Sequence, residues 1–154
     1  MIRAAGERDL DRLTALYSLL LHEHAADDAR FGLQPGGEDV LRQVLSAAIR
    51  DPDRDLRLAQ ADGDRIQGFC LTGIARRPDA FRETARGAVE QLFVRSEARR
   101  CGTGRALVQA ALDWLRSRGV QRLQVEVARS NPAGRAFWAA QGFLPAMDVL
   151  DREL

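Results

Sequence analysis

The segment RSEARRCGTGR, residues 95–105, separates an apolar stretch from an amphipathic one and decides the fold of this chain. The residues before it predict a strand over Ala88–Val94, and an apolar stripe at helical spacing predicts a helix over Thr103–Arg118. Backbone amides at the start of such a helix attract anions. Glycine at 102 and 104 removes the Cβ atoms that would keep a phosphate from the backbone. The segment therefore predicts a pyrophosphate site, to which guanidinium groups can add: Arg95, Arg99, Arg100 and Arg105.

Two well-known phosphate-binding loops do not fit this segment. A dinucleotide-binding loop needs a third glycine three positions after Gly104, where this chain has Leu107. Such a loop also follows the first strand of its unit, whereas this one comes late in the chain. A P-loop needs a lysine, and all 23 basic residues here are arginine.

The rest of the chain predicts helices and strands around one sheet. Apolar spacing predicts a helix over Glu7–His24 and a second one around Val40–Ala48. Asn131 and Pro132 suit the N-cap and first residue of a last helix, which ends near Gly142. The predicted order is βααβββαβαβ, a single α+β (mixed α/β) domain over residues 1–154. Its remaining strands are Ile2–Ala5, Leu56–Ala61, Ile66–Ile74, Leu123–Ala128 and Phe143–Val149.

Composition narrows the possible partners. The net charge of +1 gives no overall field that would favour nucleic acid or an anionic membrane. No apolar run is long enough to span a bilayer, and we expect a cytoplasmic protein. Cys70 and Cys101 lie too far apart in sequence for a metal-spaced pair, and His22 and His24 point to different helix faces. We therefore expect no metal site.

Three motifs together resemble the GNAT acetyltransferase superfamily. The spacing R-x-x-G-x-G over residues 99–104 is similar to its coenzyme A signature. Upstream, Glu90-Gln-Leu-Phe-Val94 resembles the E-x-L-x-V strand that precedes the signature in many members. Downstream, Asn131, Ala136-Phe137-Trp138 and Gly142-Phe143 resemble the family pattern of asparagine, alanine with an aromatic residue, and Gly-Phe.

The resemblance implies a mixed, mostly antiparallel sheet, flanked by helices and splayed between Ala88–Val94 and Leu123–Ala128. The pantetheine arm of acetyl-CoA would lie in the gap and pair with the backbone of Leu92, Phe93 and Val94. The pyrophosphate would rest on the amides of Cys101, Gly102, Thr103, Gly104 and Arg105, with Arg99 and Arg100 beside it. Asn131 and Phe137 would line the other side of the arm.

Two residues are candidates for proton transfer. A carboxylate near the thioester can take a proton from the acceptor amine, and the matching glutamate, Glu90, does so in some branches of the superfamily. The alternative for Glu90 is a structural ion pair with an arginine. Many members have a tyrosine acid where this chain has Trp138, and indole cannot protonate a thiolate. Tyr17, the only tyrosine, is the remaining candidate for that acid.

The resemblance implies an N-acetyltransferase that moves an acetyl group from acetyl-CoA to a primary amine by direct attack in a ternary complex. We expect a small-molecule amine as acceptor. Two alternatives stay open: acetylation of a protein N-terminus or lysine, and a catalytically silent acyl-CoA-binding domain. A homodimer is an expectation from fold analogy alone.

Overall fold

A computed structural model describes residues 1–152; the last two residues of the predicted domain lie outside the described part. Its centre is a five-stranded sheet in which the strands lie side by side in chain order. The first three pairings are antiparallel and the last is parallel, which confirms the mixed, mostly antiparallel sheet. The strands are β1 (Ile2–Ala4), β2 (Arg54–Gln60), β3 (Ile66–Arg76), β4 (Ala85–Val94) and β5 (Leu123–Val125).

Helices cover both faces of the sheet. One face carries α1 (Leu10–Asp27) and α2 (Gly37–Arg50), whose buried leucines pack on β2 and β3. The other face carries α3 (Thr103–Ser117) and α4 (Pro132–Ala140). Short 3₁₀ turns at 7–9, 29–31, 62–64 and 96–98 connect these elements.

Each face has its own apolar core. The core under α1 and α2 includes fully buried side chains at Leu13, Leu45, Leu58 and Phe69. The core under α3 and α4 is built around Leu107, Val108, Ala111, Cys70 and Trp138. Burying one large apolar side chain contributes about 1.5–3 kcal/mol, so these two clusters hold the helices on the sheet.

The sheet opens between β4 and β5. Only three residue pairs join the two strands, from Gly87 with Leu123 to Val89 with Val125. Beyond Val125 the chain leaves the strand, so β5 is shorter than the predicted Leu123–Ala128. Residues 90–94 of β4 therefore have β3 on one side and a gap on the other. This is the splay that the family resemblance implies.

A β-bulge lies where the gap begins. Leu71 of β3 pairs with Gln91, but the next residue, Thr72, pairs with Val89. Glu90 is thus the extra residue on β4, without a partner in the ladder. A bulge increases the local twist and redirects a side chain. Here it turns Glu90 onto the face that carries α1 and α2, where its carboxylate contacts Gly73.

The predicted last strand, Phe143–Val149, is wrong. Phe143 is anchored by its amide, which donates to the Trp138 carbonyl at 3.1 Å, but the residues after it form no strand. A strand needs a ladder partner, and Pro145 has no N–H to donate to one. Residues 144–150 instead expose four apolar side chains: Leu144, Met147, Val149 and Leu150.

Candidate functional site

The loop before α3 presents a row of free backbone amides. Arg99 donates its amide to Ser96 at 3.3 Å, and the next bonded amide is that of Ala106, which donates to Gly102 at 2.9 Å. Within residues 1–152, none of the six amides from 100 to 105 donates to a protein acceptor with hydrogen-bond geometry. Arg100 and Gly102 both adopt left-handed backbone, with φ of 62° and 82°. Such alternation turns successive N–H groups toward one point, where an anion can bind.

The two glycines of the loop have different roles. Gly102 needs its positive φ, and a Cβ there would meet nothing within 4 Å, so this side of the loop is open to a ligand. Gly104 packs under the ring of Phe137, which a Cβ would meet at 3.2 Å. The sequence predicts that Gly104 leaves room for a phosphate, but its Cβ direction is occupied by the aromatic ring from α4. Gly104 thus lets α3 and α4 approach each other at the mouth of the gap.

The arginines of the loop are engaged to different degrees. Arg99 donates through Nε to the Val94 carbonyl at 2.8 Å and pairs with Glu23 of α1, also at 2.8 Å. Its guanidinium also lies 5.9 Å from the centre of the Phe93 ring. Arg95 donates to the carbonyl of Ile66 at 3.0 Å.

Arg100 and Arg105 carry no ion pair or side-chain hydrogen bond within the described part of the chain. They are therefore the two cations at this loop that remain available to a phosphate without breaking an existing contact. The Arg99 pair with Glu23 has no local sequence signal, because the two residues are 76 positions apart.

Backbone groups of β4 face the gap. The amide of Arg95 donates to Gln67 at 2.8 Å, and bonded and non-bonded pairs alternate along an antiparallel ladder. By this alternation Phe93 bonds to β3, whereas the N–H and C=O groups of Leu92 and Val94 face away from β3 and into the gap. The side chain of Phe93 is buried under α1 and α2, so it does not line the gap.

The far side of the gap is formed by the start of α4. Asn131 caps this helix, and its side-chain oxygen accepts from the Gly134 amide at 2.8 Å. Phe137 lies six residues later and contacts Gly104. Cys101 is an exposed thiol within the free-amide loop. The structure thus brings the predicted residues of the loop, β4 and α4 around one opening.

Glu90 lies on the other face of the sheet and is already paired. Its carboxylate accepts from Arg54 Nε at 3.1 Å, and its side chain is 32% exposed. The sequence predicts a carboxylate among apolar residues, but the bulge moves it to solvent. Arg54 lies on β2, 36 positions away, so sequence patterns could not reveal this partner.

Tyr17 reaches the same face of β4 from α1. Its ring packs on Phe69, with centroids 5.8 Å apart. Burial raises the pKa of the Tyr17 hydroxyl, and the nearby charge of Glu90 raises it further, whereas the neighbouring Gln91 side chain acts in the opposite direction. Tyr17 therefore keeps its proton at neutral pH and lies near β4, as a proton donor for this site must.

Trp138 is a core residue. It is 8% exposed and packs edge-on against Phe137 and Phe143, with ring centroids 5.1 and 4.9 Å apart. The indole lies in the apolar cluster between the sheet and α3. It supports Phe137 from behind and contributes packing to the wall of the gap.

Within residues 1–152, no three histidine, cysteine, aspartate or glutamate side chains come together in a group that could hold a metal ion. In the same range, no helix is both long enough and apolar enough to cross a membrane.

Comparisons with known proteins agree with this geometry. Residues 14–143 match the model of the acetyltransferase (GNAT) family. A mycothiol acetyltransferase from Beutenbergia cavernae is 40% identical over 91 residues, which are 58% of this chain and 28% of that protein. The chain thus spans much less than half the length of this curated relative.

Solved structures share the whole fold. The BH1408 protein from Bacillus halodurans, solved as a mutant, superposes with a TM-score of 0.88 at 15% identity, over 100% of this chain and 99% of that one. An aminoglycoside antibiotic 6'-N-acetyltransferase from Acinetobacter baumannii gives 0.80 at 23% identity, over 100% and 97%. At these identities the likeness shows the fold alone. The family match over most of the chain, joined to the splayed sheet and the free-amide loop, shows that this chain belongs to the acetyltransferase (GNAT) family.

Proposed function

We propose that this protein transfers an acetyl group from acetyl-CoA to a primary amine of a small molecule. The observation that carries the proposal is the row of six free amides, residues 100–105, at the mouth of a gap in the sheet. A pyrophosphate needs several converging N–H donors, and within residues 1–152 none of these six amides donates to a protein acceptor with hydrogen-bond geometry. Arg100 and Arg105 add positive charge beside them, while Arg99 would have to leave Glu23 to join.

The gap suits the pantetheine arm. This arm contains amides, and the outward backbone groups of Leu92 and Val94 can pair with them as a neighbouring strand would. The Val94 carbonyl already accepts from Arg99, so Leu92 offers the free positions in the unbound protein. Phe137 closes the opposite wall, and Asn131 holds the helix that carries it.

The gap connects the two faces of the sheet. The free-amide loop begins α3 on one face, whereas Glu90 and Tyr17 lie on the face of α1 and α2. An arm threaded between β4 and β5 would therefore present its thioester to an acceptor that arrives from the α1 side.

Bound acetyl-CoA supplies an activated acyl group as a thioester. The acceptor nitrogen attacks the carbonyl carbon, a C–N bond forms, the C–S bond breaks, and coenzyme A leaves as a thiolate. We assign Glu90 to receive the proton that the amine loses, directly or through water, with Arg54 holding its carboxylate in place. The alternative for Glu90 is a purely structural pair with Arg54.

Departure of the thiolate does not require a strong acid, because a thiol with a pKa of about 8.5 is a tolerable leaving group near neutral pH. Trp138 cannot donate a proton to sulfur and is buried in the core. Tyr17 is the one described tyrosine that could assist from the α1 side.

A small-molecule acceptor is compatible with the names of two similar proteins, the mycothiol acetyltransferase that is 40% identical over 91 residues and the aminoglycoside antibiotic acetyltransferase that shares the fold. Protein N-termini and lysines are the rival acceptors. We further propose a cytoplasmic protein without nucleic-acid or membrane partners; a homodimer stays a prediction that size-exclusion chromatography tests.

The decisive assay measures free thiol released from acetyl-CoA with diamines, amino acids, aminoglycosides and peptides as acceptors. Turnover with a small amine supports the proposal, and turnover with peptides alone contradicts the acceptor class. Binding of acetyl-CoA without turnover across the panel would leave a silent acyl-CoA-binding domain.

A pair of variants tests the phosphate site directly. Gly104→Asp and Gly104→Asn disturb Phe137 equally but differ by one charge. A carboxylate about 6 Å from the pyrophosphate, at an effective dielectric of about 20, costs about 3 kcal/mol before salt screening. Calorimetry should therefore show acetyl-CoA binding at least tenfold weaker to the Asp variant than to the Asn variant. Equal affinities in two folded variants would move the pyrophosphate elsewhere.

A further inference from the structure

Glu126 lies immediately after β5, at the point where the two strands part. The side chains of Leu123, Val125 and Val127 all pack against the core under α3. Because side chains alternate along an extended chain, Gln124 and Glu126 point to the opposite face, which is the face of α1 and α2. No sequence pattern distinguishes Glu126, because a glutamate between two valines in a strand is an ordinary exposed position.

Glu126 and Glu90 are the first residues of their chain segments beyond the last ladder pair of β5 and β4. Ala88 pairs with Gln124 and Val89 with Val125, so Glu90 and Glu126 each follow directly after the last pair, where the two strands part. The bulge at Glu90 turns its carboxylate onto this same face, toward Gly73 and Arg54. Two carboxylates therefore flank the exit through which the thioester would meet the acceptor.

The two carboxylates differ in their charge partners. Glu90 is neutralised by Arg54 at 3.1 Å. Glu126 is exposed and makes no ion pair or side-chain hydrogen bond within residues 1–152. The arginine that shares its face on β4, Arg86, donates instead to the Gln124 side chain at 2.6 Å. The side of the gap formed by β5 thus keeps one uncompensated negative charge.

We propose that Glu126 binds the acceptor amine in its ammonium form. This inference rests on the proposed acetyl transfer. An alkyl ammonium has a pKa near that of lysine, about 10.4, so almost all of the free acceptor carries a positive charge. A carboxylate without an arginine partner attracts this cation, whereas Glu90 is already satisfied.

Glu126 and Glu90 have different roles in the proposed reaction. The ammonium binds beside Glu126 and gives one proton to Glu90 or to water. The neutral nitrogen then attacks the thioester, forms the C–N bond and breaks the C–S bond, and the second proton passes from the nitrogen to the departing thiolate or to water. Glu126 takes no proton in these steps, so its contribution is to binding and orientation of the acceptor.

The test compares Glu126→Gln with the parent and with Asp62→Asn, a matched loss of one exposed carboxylate in the turn between β2 and β3. Steady-state kinetics use 1,4-diaminobutane as a cationic acceptor and aniline as a neutral one. We expect the Glu126→Gln variant to raise KM for the diamine about tenfold, with kcat within twofold and KM for acetyl-CoA unchanged. Glu126→Asp should recover part of the loss, and Asp62→Asn should match the parent.

Calorimetric titration of 1,4-diaminobutane into the protein saturated with coenzyme A provides a readout independent of turnover. Weaker binding to Glu126→Gln than to Asp62→Asn supports the inference. Equal affinity, an unchanged diamine KM, or an equal rise in KM for aniline would each overturn it. Turnover by the parent reports separately on the proposed function, so a silent parent with Glu126-dependent diamine binding would refute acetyl transfer alone.

Discussion

Asp9 should stabilise the fold through a charge that is buried and fully bonded. Its carboxylate is 0% exposed and accepts two hydrogen bonds from Arg3, at 2.7 and 2.8 Å. It also accepts from the Gly6 amide at 2.9 Å. These contacts join β1 to the start of α1, the helix that carries Tyr17 and Glu23. The variant Asp9→Asn removes the charge while keeping the size of the side chain.

The pKa of Asp9 gives the size of the effect. The hydrogen bonds from Arg3, more than any other contact, lower this pKa from its ordinary 3.8 to about 2, against the opposing effect of burial. That difference corresponds to about 2.4 kcal/mol of stability at neutral pH. Because the pKa is depressed in the folded protein, this stability is present above pH 4 and is lost as the pH falls toward 2. About half of it should be gone at pH 3.

Urea unfolding at pH 7 and pH 3 measures this contribution. The free energy of unfolding of Asp9→Asn should be lower than that of the parent by at least about 2.4 kcal/mol at pH 7. A further cost arises because the amide N–H₂ of asparagine and the Arg3 guanidinium are both hydrogen-bond donors. The difference from the parent should shrink by about 1 kcal/mol at pH 3. Asp11→Asn is the control, because Asp11 pairs with Arg42 at 3.0 Å in solvent, where such pairs contribute little. A loss that is the same at both pH values would refute the linkage argument.

Other variants test the site and its supports. Glu90→Gln should depress turnover while acetyl-CoA affinity stays within twofold, and unchanged turnover would leave Glu90 as a structural partner of Arg54. Tyr17→Phe should leave turnover within about threefold if the thiolate departs unassisted, a reasoning that fails if activity disappears from a folded variant. Trp138→Phe should lower stability by about 2 kcal/mol in urea unfolding through lost packing, with a smaller effect on kcat. Gly87→Ala should cost about 1–3 kcal/mol, because its Cβ would lie 2.9 Å from Leu115 Cδ2 and push α3 off β4; a melting temperature equal to the parent's would contradict that contact.

Most of the element order follows from the sequence by itself. The helices at residues 10–27, 37–50, 103–117 and 132–140 carry apolar stripes, and local signals such as Asn131-Pro132 mark where one begins. The free-amide loop is equally local, because glycines and the start of a helix determine its backbone within a few residues. These features depend on short-range sterics and on the spacing of apolar residues, so they can be predicted from residues a few positions apart.

Features that depend on pairing across the sheet could not be predicted in the same way. The segment Phe143–Val149 has the composition of a strand, yet it has no ladder partner among the described residues and stays outside the sheet. The bulge at Glu90 depends on the register between β3 and β4, and no residue type specifies that slip.

The sequence alone therefore indicated the family and the free-amide loop before α3. Only the tertiary structure decided which charges meet: Arg54 with Glu90, Glu23 with Arg99, and Glu126 with none in the described part of the chain. Those partners are separated by 36 and 76 positions, and the contact between them depends on sheet register and helix docking. Electrostatic pairing acts over a few ångströms, so it is settled after the chain has brought distant segments together.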